Sequence, residues 1–238
     1  MPVRVSPRAL FRRSPLGVAG VAIAGAVSGC LFSLGAIYAD GEGFSTFEVS
    51  LFMAVAILAG CASQLPIGRI SDRMDRRKVV IAICALAALC AMGSWWLADL
   101  SRLVFFTMVA AYGGTSLTLY SLSSAHVNDH VPAEEKLGAS STLILVNGAG
   151  AFIAPIVVAA VMETVGNDTF LPLLAVMHVS LAVYAMFRMK RRAAVPGEQK
   201  SPFVGTPLGT SSSGELLGHA SDRGEPASGV GEASRTRE

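Results

Sequence analysis

Gly68-Arg69-Ile70-Ser71-Asp72-Arg73-Met74-Asp75-Arg76-Arg77-Lys78 is dense in charge, yet it separates two runs, Val49 to Ile67 and Val79 to Leu97, that hold no Asp, Glu, Lys or Arg. An ionised side chain at the centre of a membrane helix costs about 2.5 to 3.5 kcal/mol on insertion scales. A charge-free run of roughly 20 apolar residues spans a bilayer core. The stretch therefore reads as a short connection between two transmembrane helices.

Working outward, four more such runs follow the same rule: Leu16 to Tyr38, Leu103 to Ser124, Leu137 to Met162 and Phe170 to Phe187. The chain is 52% hydrophobic and 15% charged with a mean hydropathy of +0.54, against about 25% charge in soluble domains. This predicts an all-α membrane protein of six spans and leaves no room for a soluble catalytic domain. Three segments follow: a basic segment at 1–14, a six-helix domain at 15–190, and a tail at 191–238. The tail is rich in Gly, Ser, Pro and Glu without hydrophobic periodicity and is expected to be disordered. The apolar run after the basic N-terminus is too long for a signal peptide and is expected to be retained.

Orientation follows from the cations. On one side lie Arg4, Arg8, Arg12 and Arg13, then the quoted stretch with Arg69, Arg73, Arg76, Arg77 and Lys78, then Lys136, then Arg188, Lys190, Arg191 and Arg192; on the other lies Arg102 alone. The positive-inside rule makes the first side, and both termini, cytoplasmic. The net charge of +2 thus speaks to topology rather than to nucleic acid. The outer connections are acidic, with Asp40, Glu42, Glu48, Asp99, Glu163 and Asp168, and Trp95 and Trp96 suit an interfacial anchor or core packing.

Positive-inside topology explains the bases of the quoted stretch but not Asp72, Asp75 or Gly68. Acids among such bases indicate specific pairing with helix ends or partner side chains. Here the sequence resembles the major facilitator superfamily, whose connection between the second and third helices of each six-helix half reads G-x-x-x-D-R-x-G-R-R. Gly68, Asp72, Arg73, Arg76 and Arg77 match, and Asp75 stands where the pattern has glycine. The resemblance implies a cytoplasmic conformational latch: Asp72 against a helix dipole, Arg73, Arg76 and Arg77 in ion pairs, and Gly68 permitting close helix approach. The segments FRRSPLGVAG, AHVNDH and NGAGAFIAP look like the C-terminal half of bacterial permeases in this family, over roughly residues 8 to 190. The fold then implied is a six-helix half whose counterpart lies outside this chain, either as a separate N-terminal six-helix half or as a second copy.

On the fourth span Tyr112, Thr115, Ser116, Tyr120 and Ser123 form a polar stripe at helical spacing. Such a face must look at protein or water, so it reads equally as a wall of a solute cavity, which the family resemblance favours, or as interhelical hydrogen bonding. Asn147 on the fifth span joins the candidate solute-binding group. Pro155 removes a backbone hydrogen bond and is expected to kink the fifth span, while Gly25, Gly29, Gly148 and Gly150 suit close packing.

His126 and His130 have a helical metal spacing but no third ligand nearby, so no metal is expected. His178 reads as a packed residue, and the four cysteines as small buried hydrophobes. With no internal carboxylate and no His/Asp/Cys constellation, the spans suggest neither an enzyme nor a cofactor. The expectation is half of a secondary transporter moving a small solute in the bacterial inner membrane. The alternative is a non-transporting subunit or truncated remnant.

Overall fold

The computed structural model describes residues 5–98 and 100–191. Among the described residues there are eight α-helices: α1 (Pro7–Arg13), α2 (Pro15–Gly41), α3 (Thr46–Arg73), α4 (Arg76–Trp96), α5 (Arg102–Ser116), α6 (Leu119–Asn128), α7 (Lys136–Val165) and α8 (Phe170–Arg191). Short 3₁₀ turns precede α7 and α8. Six stretches among the described residues are long and apolar enough to cross a membrane, with α5 and α6 together forming the fourth. The expected spans are all present, most of them longer than the apolar runs by a turn or so.

Three departures have physical causes. The basic N-terminal segment is partly helical: Ser6 caps α1 by accepting from the Ala9 amide, Pro7 suits the first helical position, and Leu10 is fully buried. The fourth span is broken at Leu117 and Thr118. There the hydroxyls of Thr115 and Thr118 bond back to the carbonyls of Ala111, Tyr112, Gly114 and Thr115, next to two glycines, and such back-bonding competes with the helical ladder. Finally, most of the charged connection is helix. α3 continues through Pro66 as far as Arg73 and α4 begins at Arg76, so only Met74 and Asp75 lie outside helices. The buried positions Gly60, Gln64, Gly68 and Ser71 share one face of α3, which keeps the helix packed beyond its apolar run.

Two seams set the interior. Along α2 and α7 a Cβ on Gly25 would lie 2.1 Å from the Asn147 carbonyl oxygen, one on Gly29 would lie 2.5 Å from that of Ala151, and one on Gly150 would lie 2.3 Å from that of Ala22. Backbone meets backbone there, and only glycine fits. Along α3 and α5, a Cβ on Gly113 would stand 2.2 Å from the Ala56 carbonyl oxygen. Burial is uneven: α7 and α3 expose most of their surface, including Leu145, Phe152, Ile153, Ile156 and Val157 on α7.

Candidate functional site

At the basic end, three arginines or lysines open α4, where the helix dipole disfavours cations. The local acids answer that problem. Asp75 caps α4 by accepting from the Arg77 amide (3.0 Å), and the same carboxylate receives the Arg77 guanidinium at 2.8 to 3.2 Å. Its φ of −62° is ordinary extended backbone, so the acid in the family's glycine position makes a cap rather than a left-handed turn. Partial burial pushes the Asp75 carboxyl up. Hydrogen bonds from the Arg77 side chain and amide, with its charge, outweigh that and hold it below the ordinary carboxylate value.

Arg76 goes further. Its side chain is 1% exposed, donates to Asp72 on α3 (2.9 Å) and pairs with Asp129 at the end of α6 (3.3 Å), itself 2% exposed. One guanidinium thus ties α3, α4 and α6 together, dry on the side of Asp129 and open to solvent on the side of Asp72, whose side chain is 41% exposed, and a carboxylate on each side offsets the cost of burying the charge. Of the five residues expected in the latch, Asp72 and Arg76 take part in this knot, Arg77 pairs with Asp75 at the start of α4, and Gly68 is buried. Arg73 is exposed and has no ion-pair partner among the described residues. Asp72, in the last turn of α3, is ion-paired with Arg76. Asp129 is the principal partner that sequence reading missed; the only hint was its place after the fourth span beside Asn128. Arg13 of α1 pairs with Glu135 just before α7, and the Thr142 hydroxyl donates to the Val5 carbonyl, so α1 is fastened at the same end.

The polar stripe is mostly turned inward. Tyr112, Thr115, Ser116 and Ser123 are buried, while Tyr120 is half-buried. His178 of α8 closes the group. In the neutral ring Nδ1 donates to the Leu174 carbonyl (2.8 Å), which leaves Nε2 to accept from the Ser116 hydroxyl (3.1 Å), and the ring stands edge-on to Tyr112 at 5.6 Å. In this arrangement Ser116 bonds across helices, and Thr115 bonds its own backbone. Asn147 is half-buried on α7, its backbone against Gly25. Pro155 lies within α7, which remains a continuous helix over Lys136–Val165. By lacking an N–H it leaves the Ala151 carbonyl without its helical donor, and that oxygen is the one facing Gly29.

His126 and His130 stand edge-on to each other at 4.8 Å, and no group of three side chains suited to a metal occurs among the described residues. Cys30, Cys84 and Cys90 are buried as expected; Cys61 is exposed, because it lies on the apolar outer face of α3.

Comparison with known proteins agrees with this architecture. The family model of the Major Facilitator Superfamily matches residues 2–155. An uncharacterized MFS-type transporter of Enterobacter sp. (strain 638) is 28% identical over 202 residues, covering 84% of this chain and 49% of that protein. One from Yersinia enterocolitica is 25% identical over 205 residues, covering 85% and 50%. The uncharacterized MFS-type transporter YcaD of Escherichia coli is 27% identical over 183 residues, covering 77% and 46%. No solved structure matches. With six apolar spans and a family match over most of its helical domain, the chain is a multi-pass integral membrane protein of a transporter class. It belongs to the Major Facilitator Superfamily and spans about half the length of the curated relatives it matches.

Proposed function

We propose that this chain is one half of a secondary transporter, carrying a small solute by alternating access between two six-helix halves around a midplane site. The observation that carries this reading is coverage: most of the chain aligns with only half of each relative. The little-buried faces of α7 and α3 fit the same reading, since they offer a second unit an apolar surface. That second unit is an N-terminal six-helix half or another copy of this chain. The basic end faces the cytoplasm, with both termini, in accord with the positive-inside rule.

In this reading the Arg76 knot is the latch. Rocking of one half against the other changes how α3, α4 and α6 meet, and an ion pair buried among three helices makes one arrangement a discrete state. Tyr120 and Asn147, the half-buried members of the expected polar group, are the side chains best suited to meet solute. Tyr112, Thr115 and Ser116 shape the wall from behind.

The test is a cysteine at Gly148 or Phe152, both exposed on α7, cross-linked in native membranes. A product containing a second six-helix unit or a second copy is expected, together with solute uptake once both units are reconstituted. A chain that cross-links to nothing and gives no uptake contradicts the proposal.

A further inference from the structure

At the end opposite the basic one, the turn between α2 and α3 builds a recess. Gly43 takes φ +75°, which lets its amide reach the Asp40 carbonyl and the Phe44 amide reach that of Ala39. Phe44 is thereby folded inward, edge-on to Phe105 at 5.1 Å. The recess so formed, about 260 Å³, is lined by Tyr38, Glu42, Phe44, Ala98, Arg102 and Phe105.

We propose that this recess binds a small zwitterion, bearing one ammonium and one carboxylate and about the size of an amino acid. The recess lies at the outer end, apart from the midplane site of the transport reading, and is an outer binding station for the same solute; the proposal names a solute class for that reading and rests on it to that extent.

Three polar groups face the space with bonding capacity unspent. The Glu42 carboxylate is positioned by Asn167, whose amide nitrogen donates to one of its oxygens at 2.6 Å and to the Tyr38 carbonyl at 3.0 Å. Its second oxygen is open to an ammonium. Arg102 lies 4.1 Å above the Phe44 ring and pairs with Glu48 at Nε, 3.4 Å. Stacking and pairing fix the plane of the guanidinium and leave its two terminal nitrogens for a carboxylate, which such a fork grips with two parallel bonds. Arg102 also opens α5, and the cap residue Ser101 makes no side-chain cap bond, so the first amides of that helix add to the anion-attracting side. Tyr38, 2% exposed, lines the recess, and its hydroxyl has no hydrogen-bond partner among the described residues. That hydroxyl is free to donate to or accept from a ligand in the recess.

The pairing of charges selects the ligand. A simple cation would satisfy Glu42 while facing Arg102, and a simple anion the reverse; a molecule carrying both charges satisfies each. Phe44, Phe105 and Ala98 provide an apolar wall for a side chain. The volume lies just below the usual range of ligand pockets, roughly 300 to 1,000 Å³, which suits a small solute.

The experiment is equilibrium binding to the purified full chain in lipid nanodiscs, with radiolabelled glycine, leucine and phenylalanine as probes. The comparators are 3-methylbutylamine and 4-methylpentanoate, which are leucine without its carboxylate and without its amine. At least one zwitterion should bind saturably, with both comparators weaker by about tenfold or more, the size of one charge-assisted bond lost. Arg102→Gln should bring leucine down to the level of the amine, and Glu42→Gln to that of the acid. Tyr38→Phe should weaken binding several-fold. Trp95 and Trp96 fluorescence on heating establishes that each variant is folded. Should one unfold, an Ala98→Cys chain is used instead, in which zwitterion but neither comparator should slow thiol labelling. The proposal is overturned if no zwitterion binds the folded chain, if the amine or acid binds as well as leucine, or if binding and labelling ignore these changes. Binding without uptake by the reconstituted pair would leave the recess standing and remove the transport reading; uptake without this binding would do the reverse.

Discussion

The two ends of the helical bundle are held by opposite kinds of force. At the basic end, helices meet through charge, Arg76 with Asp72 and Asp129 and Arg13 with Glu135, while Arg77 with Asp75 secures the start of α4. At the other end they meet through rings. Phe105 stacks on Phe52 and stands edge-on to Phe44 and Phe106, while Tyr38 stacks on Phe170 at 5.0 Å. Buried ion pairs are directional and fail abruptly when the geometry changes. Aromatic packing is broader in angle and tolerates small displacements. The contrast suits a body that pivots, with one end that switches and one that holds.

Four perturbations would break or sharpen the contrast. The largest effect is expected from Arg76→Ala, which strands Asp129 in a site 2% exposed; removing one partner of a buried pair costs about 3 to 5 kcal/mol, read as a fall in thermal unfolding temperature in detergent. Phe105→Ala, at a fully buried ring of the other end, should cost about 3 kcal/mol. Its loss should be the same at low and high salt, and a strong salt dependence would erase the distinction between the ends.

Asp75→Asn should cost about 1 kcal/mol by weakening the α4 cap, and its effect should depend on pH. Because the folded carboxyl titrates below its ordinary value, the stabilisation is complete above the unfolded pKa of about 3.9 and fades as pH falls through the lower folded value. Wild type and variant should therefore converge in acid, and a constant difference down to the lowest pH reached would refute the assignment. The smallest effect is expected for Arg13→Gln, whose exposed pair with Glu135 should give a shift that vanishes near about 1 M salt, where the Debye length is about 3 Å.

How much of this was legible in the sequence depends on whether the information was local. The spans were, because the bilayer excludes charge and each run of apolar residues declares itself. Gly25 and Gly29 could be read as a packing face, although not as the partners of Asn147 and Ala151. The break at Leu117 and Thr118 was hidden, since hydropathy is blind to hydroxyls that turn back on their own backbone. The caps were half visible: Asp75 was seen as an anomaly against a family pattern, and its role became clear only with φ and the Arg77 contact. Asp129 and His178 were not legible as partners of Arg76 and Ser116. Those contacts join helices distant along the chain, and residue type alone does not say which buried polar group will meet which. The inward turn of Tyr112, Thr115 and Ser116 has the same origin: a polar stripe announces that it avoids lipid, but not whether it meets solute or neighbour.

The glycine seam between α2 and α7 has a mechanical meaning. Where main chains touch at Gly25, Gly29 and Gly150, there are no long side chains to lean or reorient and so absorb a displacement. The two helices are geared like the teeth of a rack, unable to slip by a fraction of a residue. Any tilt imposed on one is passed undiminished to the other, so the exposed face of α7 reports faithfully on α2, the helix at the centre of the bundle.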